Sequence, residues 1–243
     1  MAVLQGGVNP VTDSSGVAVT SLTTSVTVAA GSNRAMAVCV NTESDGADGV
    51  RVSSITFDAT ALTLHDRISS ATWSAAEVWR LIAPAVVTGN VVVTLNIADV
   101  LVVGIYKADD VDQTTPLATA AKSAATTGTS VSNTVAGVVS GDLAFDALGI
   151  DGTEHVAAVG ADQTERYDIE SGATQTTGAS STQAGSAGGV MSWTWTTSKP
   201  NSHVATAFKD AAGAAAVIGK TYVQDERTPM RGVQRGILMG RSH

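Results

Sequence analysis

Between Val91 and Asp112 the chain reads VVVTLNIADVLVVGIYKADDVD, its most concentrated apolar run. Val91, Val93, Leu95 and Ile97 fall on one face of an extended chain, and Leu101, Val103 and Ile105 do the same further on. The intervening positions hold Val92, Thr94 and Asn96, then Val100, Val102 and Gly104, so part of the second face is apolar as well. β-Branched residues at this density suit a pleated sheet surface, and burial on both faces removes strict alternation. The expected element is a hairpin turning at Ala98-Asp99, serving as the central pair of a β-sandwich.

The rest of the chain agrees with an all-β fold of antiparallel strands. Turn signals recur at Ala30–Asn33, Asp58-Ala59, Val87–Asn90 and Ser140–Asp142. Between them lie short strands: Ser25–Val28, Arg34–Asn41, Val52–Phe57, Thr60–Leu64, Ala76–Ile82, Ser130–Val135, Leu143–Ile150, Gln163–Ile169, Val190–Thr196 and Val204–Phe208. Residues 171–189 are rich in Gly, Ser, Thr and Ala with little hydrophobic period, which fits a polar edge strand or a long surface loop. No ten-residue stretch has convincing helical periodicity, apart from a short Ala-rich turn in 211–218. Aromatics are 4% of residues and 24 glycines are spread along the chain, so the core must be built from small β-branched side chains. The 243 residues are enough to bury such a core.

Four segments follow: an N-terminal arm over 1–14, a β-sandwich domain over 15–210, a linker over 211–219, and a C-terminal arm over 220–243. The last differs in kind. It holds five basic residues against two acidic ones, a net of +3, whereas the preceding residues hold nine basic against 20 acidic, a net of −11. Arg227, Arg231, Arg235 and Arg241 suit pairing with carboxylates, because the guanidinium fork bonds a carboxylate through two parallel hydrogen bonds. Tyr222, Val233, Ile237, Leu238 and Met239 suit apolar hollows, and glycines at 232, 236 and 240 let such an arm bend close to a surface. The plainer reading is a flexible basic tail. Nucleic acid is a poor partner for it, since no aromatic beyond Tyr222 interleaves the charges.

No catalytic or metal motif stands out. The four histidines are scattered, no metal site or cofactor is expected, and no Gly-rich phosphate loop or nucleophile elbow occurs. Asp45/Asp48, Asp109/Asp110/Asp112 and Asp151/Glu154 form acidic turns; such turns can hold calcium, but none fits a calcium loop and a chain of net charge −8 carries them anyway. Cys39, the single cysteine, lies in an apolar strand and reads as a buried small hydrophobe. Trp73 lies in a polar loop, Ser69 to Ser74. It either plugs the end of the core or stacks on a sugar ring. Met191, Trp193 and Trp195 share one strand face and read as core, as does Trp79. The beginning of the chain lacks a secretory pattern and no apolar run spans a membrane, so synthesis in the cytoplasm and no membrane partner are expected.

Read together, GSNRAMAVCVNTE (31–43), VSSITFDATALT (52–63), EVWRLIAPAVVTGNVVVTL (77–95), VDQTTP (111–116), GDLAFDALG (141–149) and MSWTWTTSKPNSHVATAFK (191–209) resemble a β-sandwich, jelly-roll-like module. That module recurs in tailed-phage virion proteins and in some bacterial surface proteins. The resemblance spans 15–210 and implies a non-enzymatic role with no catalytic residues. It points to a virion structural protein, made in the host cytoplasm: a capsid decoration (cement) protein or another head or tail accessory subunit. Its partners would be neighbouring virion subunits, including further copies of itself. The alternative is a carbohydrate-binding or adhesin module, with a surface glycan held at Trp73.

Overall fold

The computed structural model describes residues 3–5, 10–43, 51–70, 73–152, 157–172 and 175–211, with backbone alone at 4 and 5. The chain is all-β and every strand pairing is antiparallel. The first half supplies β1 (Leu4–Gln5), β2 (Val11–Ser14), β3 (Val19–Thr27), β4 (Ala35–Thr42), β5 (Val52–Phe57) and β6 (Thr60–Ala61). It continues with β7 (Thr63–Ser69), β8 (Ala75–Ile82), β9 (Thr88–Asp99) and β10 (Leu101–Asp109). The second half supplies β11 (Ala121–Ala125), β12 (Ser130–Thr134), β13 (Leu143–Asp151) and β14 (Ala158–Val159). Then follow β15 (Gln163–Ser171), β16 (Thr176–Ala184), β17 (Val190–Thr194) and β18 (Asn201–Phe208).

Each half builds one larger and one smaller sheet. In the first half these are β2-β10-β4-β8-β7 and β3-β9-β5; in the second they are β11-β18-β13-β16-β15 and β12-β17-β14. The two-residue strands β1 and β6 add to the edges, β1 on β10 and β6 on β5. With β1 and β6 set aside and the strands renumbered within each half, both halves read 1-8-3-6-5 and 2-7-4. This is an eight-stranded jelly roll, with its fifth strand moved onto the sixth, and it occurs twice. The link between the halves is residues 110–120, where Asp112 Oδ1 accepts from the N–H groups of Thr114 (2.8 Å) and Thr115 (3.1 Å) and so turns the VDQTTP segment.

The two larger sheets lie face to face, giving four layers in all. On β4, Ala35, Ala37 and Cys39 face the central seam, while Met36, Val38 and Val40 face the β3-β9-β5 sheet. On β13, Phe145 and Ala147 face the same seam from the other side, and Ala144, Leu148 and Ile150 face β12-β17-β14. Inner sheets therefore need apolar residues on both faces, whereas the outer sheets alternate. Tyr106, Phe145 and Phe208 stack in the seam, with ring centroids 5.3 and 4.7 Å apart.

Two expectations need correction. The stretch from Val91 is no hairpin: β9 pairs with β3 and β5, while β10 pairs with β4 and β2. The fully buried Val100 carries the chain from an outer sheet to an inner one. That division explains the pattern, since β9 buries one face and β10 buries two. Residues 176–184 are neither surface loop nor edge. β16 is an interior strand between β13 and β15, buried from Thr176 to Gln183. Its hydroxyls are satisfied inside the protein, Thr176 Oγ1 donating to Ile150 O (3.2 Å) and Thr177 Oγ1 to Gly152 O (2.9 Å), so polarity did not mark exposure.

The hairpin across Asp58-Ala59 is present, with φ of 46° and 64°, the left-handed pair of a type I′ turn. Trp193, Met191, Trp195, Trp79 and Cys39 are all buried, in line with the sequence reading. Residues 220–243 and the linker from 212 lie outside the described residues.

The apolar stretch itself supplies a test. Ile105 is fully buried whereas Ile97 is 54% exposed. Ile105→Ala should cost about 2–5 kcal/mol through lost burial and the cavity left. Ile97→Ala should stay within about 0.5 kcal/mol. Urea denaturation of both variants decides it, and equal losses would contradict the layer assignment.

Candidate functional site

Two polar constellations among the described residues bear on a site, one sealed and one open to solvent. The first is sealed between the inner sheet of the second half and β12-β17-β14. Alternation along β13 turns Asp146 away from the seam. Its Oδ1 accepts from Ser181 N (2.6 Å) and Ser181 Oγ (3.1 Å), and its Oδ2 from Trp193 Nε1 (2.7 Å) and His203 Nε2 (3.0 Å). Asn133 Nδ2 lies 2.8 Å from His203 Nδ1 and 3.4 Å from the His203 carbonyl oxygen. An amide nitrogen facing that carbonyl donates, so Nδ1 is placed to accept from Asn133 while Nε2 faces the Asp146 carboxylate.

Ser181, His203 and Asp146 are residue types of a nucleophilic triad, but their order is wrong. The carboxylate sits between serine and imidazole, so the serine oxygen meets Asp146 and not the imidazole that would serve as its base in a triad. Asp146 and His203 are fully buried. This is a structural network, and its work is to hold β13, β16, β17 and β18 in register.

The second constellation lies at one end of the stack, where loops of both halves meet. Between β7 and β8, Ser70 N donates to Ser74 O (2.9 Å). Ser74 is tied to the second half: its Oγ donates to Gly149 O (2.9 Å), and Ser202 Oγ donates to its carbonyl (2.8 Å). Next to Ser74, Trp73 has φ of 63° and is 47% exposed. A bulky residue in the left-handed region is strained, and such strain collects at functional sites. The ring points outward and does not plug the core.

Trp73 borders a hollow of about 210 Å³ with apolar walls at Ala18, Ala98 and Val100 and polar ones at Glu43, Arg51, Asp99 and Gln175. Arg51 Nε and Asp99 Oδ2 face each other 3.2 Å apart, and Asp99 Oδ1 accepts from Val100 N (2.7 Å). Burial pushes the Asp99 carboxyl up to about 6 against the pull of that N–H and of Arg51. Burial also raises Glu43, and the Asp151 carboxylate adds to it while Arg51 opposes. Next to Arg51 in sequence, the backbone of Val52 hydrogen-bonds Glu77, which also accepts from Trp79 Nε1 (2.9 Å). Burial nevertheless raises Glu77 to about 7. A depression lined by Arg34, Lys107 and Asp109 encloses only about 20 Å³, room for little more than a water.

Of the residues singled out in the sequence, Trp73 alone belongs to this site. Tyr222, Arg227, Arg231, Val233, Arg235, Ile237, Leu238, Met239 and Arg241 lie outside the described residues, as do Asp45, Asp48 and Glu154. Asp112 is occupied in its turn, and no group of three or more His, Cys, Asp or Glu side chains is placed to hold a metal ion among the described residues. Glu43, Arg51, Asp99 and Gln175 were missed. They are separated in sequence by up to 132 positions; Glu43, Arg51 and Asp99 belong to the first jelly roll, and the second brings Gln175 to them.

The buried carboxyls make stability depend on pH. Glu77, Asp99 and Asp168 all have folded pKa values above their ordinary ones, at about 7, 6 and 6. Their contribution is present at low pH and lost as pH rises through those values. His65, lowered chiefly by burial, works the other way as acid charges it in the unfolded chain. Between pH 8 and pH 6 the Glu77 effect dominates, so stability should rise on acidification by about 1–3 kcal/mol. Glu77→Gln should flatten that rise while keeping an acceptor for Trp79. Thermal melts across the window check both, and a wild-type profile that falls toward pH 6 would contradict the assignment.

No family model, no curated protein and no solved structure matches this chain.

Proposed function

We propose that the protein is a non-enzymatic structural subunit of a tailed-phage virion, a capsid decoration protein or another head or tail accessory subunit. One observation carries this reading: the segments that resemble the virion module fall on both jelly rolls and on their link. GSNRAMAVCVNTE covers β4, VSSITFDATALT covers β5 and β6, and EVWRLIAPAVVTGNVVVTL runs through β8 into β9. VDQTTP is the link, GDLAFDALG lies on β13, and MSWTWTTSKPNSHVATAFK runs through β17 and β18. The likeness therefore touches both jelly rolls and is not confined to one.

The physical character of the molecule supports the same role. The Ser181–Asp146–His203 set is shut away from solvent and spent on holding strands. The described body is acidic, and the basic segment 220–243 complements it, so copies of the chain or acidic neighbours are suitable partners for the arm. A second reading, a carbohydrate-binding or adhesin module, is favoured by the outward ring of Trp73 and is compatible with a place on a virion.

Deletion of residues 220–243 tests the docking role. The truncated protein should keep its melting temperature, because every described strand ends by Phe208, and should fail to incorporate when co-expressed with the other structural proteins of its particle. Full occupancy of the truncated protein, seen by electron microscopy of purified particles, would overturn the docking role.

A further inference from the structure

We propose that the hollow beside Trp73 is a binding site for a neutral saccharide ring. A sugar ring offers an apolar face of C–H groups and a rim of hydroxyls, each able to donate and to accept. The hollow matches both. The indole of Trp73 is a flat surface at its edge, while the other three tryptophans are 8%, 1% and 5% exposed and belong to the core. Around it, Glu43 brings a carboxylate that accepts and Gln175 an amide that both donates and accepts, while Arg51 and Asp99 line the hollow as a pair engaged with each other. A few acceptors and donors beside an aromatic face are the pattern that orients a polyol in a pocket whose polar groups fix its pose. At about 210 Å³ the space is smaller than the roughly 300–1,000 Å³ of drug-sized pockets, and suits a single ring of a longer glycan.

Other ligand classes fit less well. An anionic sugar, a phosphate or nucleic acid would meet Glu43 and Asp99, with the Asp151 carboxylate also acting on Glu43, on a chain of net charge −8. A quaternary ammonium is held by a cage of several aromatic faces, and Trp73 is the one aromatic residue bordering the hollow among the described residues. Arg51 is already engaged with Asp99, which lowers the electrostatic attraction for a free cation. What remains is a ligand without net charge that needs both donors and acceptors.

The backbone adds a reason for the tryptophan to be where it is. The left-handed conformation at Trp73 is sustained by the Ser74 hydrogen bonds to Gly149 and Ser202, which belong to the other jelly roll. The residue that follows Trp73 is thus fixed to the second jelly roll, which helps to pre-position the indole.

The test uses the full chain on an array of neutral, sialylated and sulfated glycans, with Trp73→Ala and Gln175→Ala beside the wild type. Binding should be confined to neutral glycans, fall at least tenfold in Trp73→Ala, and fall several-fold in Gln175→Ala, with melting temperatures unchanged. Acrylamide quenching of the wild type gives an independent reading: a bound neutral glycan should protect the exposed Trp73 and leave the buried three unaffected. Failure of every neutral glycan to bind the folded wild type, a preference for anionic glycans, or equal binding by Trp73→Ala would each overturn the proposal. None of these results depends on incorporation into a particle, so the virion reading stands or falls separately.

Discussion

Everything in this molecule depends on how closely the two inner sheets approach each other. A Cβ placed on Gly104 would lie 2.3 Å from the ring of Tyr167, and one on Gly178 would lie 2.5 Å from Val102. At these points one sheet receives the side chains of the other, and larger residues have no room. The rest of the seam mixes small residues, Ala35, Ala37, Cys39, Ala76, Ala108 and Ala147, with valines such as Val78, Val111 and Val204, while Tyr106, Phe145 and Phe208 fill the wider part. The many small residues of the composition follow from this. Two sheets buried on both faces leave less room for bulk than one sheet with a solvated side, and close packing there tolerates neither voids nor excess volume.

The same constraint accounts for the polar strand at the centre of the second half. β16 lies where Gly178 must be small, and its neighbours Thr176, Thr177, Ser180, Ser181 and Thr182 are small as well, at the cost of burying hydroxyls. Buried polar groups are tolerable only when paired. Here Asp146 serves as the acceptor that gathers Ser181, Trp193 and His203, linking both sheets of the second jelly roll. Removing one partner from such a network leaves a buried charge or donor unpaired, which costs more than the bond itself contributes. The network thus ties β13 and its neighbours into a rigid wall. Gly149 and Ser202 extend that wall to the loop end, where they hold the turn carrying Trp73.

The sequence made the fold class legible because strand periodicity is local. Met191, Trp193 and Trp195 on one face, the turn at Asp58-Ala59, and the doubly apolar pattern of Leu101 to Ile105 needed no tertiary knowledge. What was illegible is whatever depends on a distant partner. Val100 marks a change of sheet, but the residues around it look like those of a hairpin turn. Thr176 to Gln183 look solvated until Asp146, Ile150 and Gly152 are seen to satisfy or cover them. Of the candidate site, Trp73 alone announced itself, as an aromatic in a polar loop. Glu43, Arg51, Asp99 and Gln175 are ordinary polar residues in their own segments, and their significance comes only from two loop ends meeting.

The duplication was also hidden, yet traces of it remain once the strands are matched. A glycine precedes the third strand of each half, at Gly31 and Gly141, and an aspartate lies at or just past the end of each eighth strand, at Asp109 and Asp210. A Cβ on either glycine would lie within 2.1 or 2.5 Å of its aspartate's carboxylate, so the two halves share this contact as well as their strand order. The central claim is that these halves share one core and are a single cooperative unit, not two beads on a string. Scanning calorimetry of the whole chain tests it most directly. One transition is expected, with calorimetric and van 't Hoff enthalpies equal; two separable transitions, or a calorimetric enthalpy well above the van 't Hoff value, would contradict it.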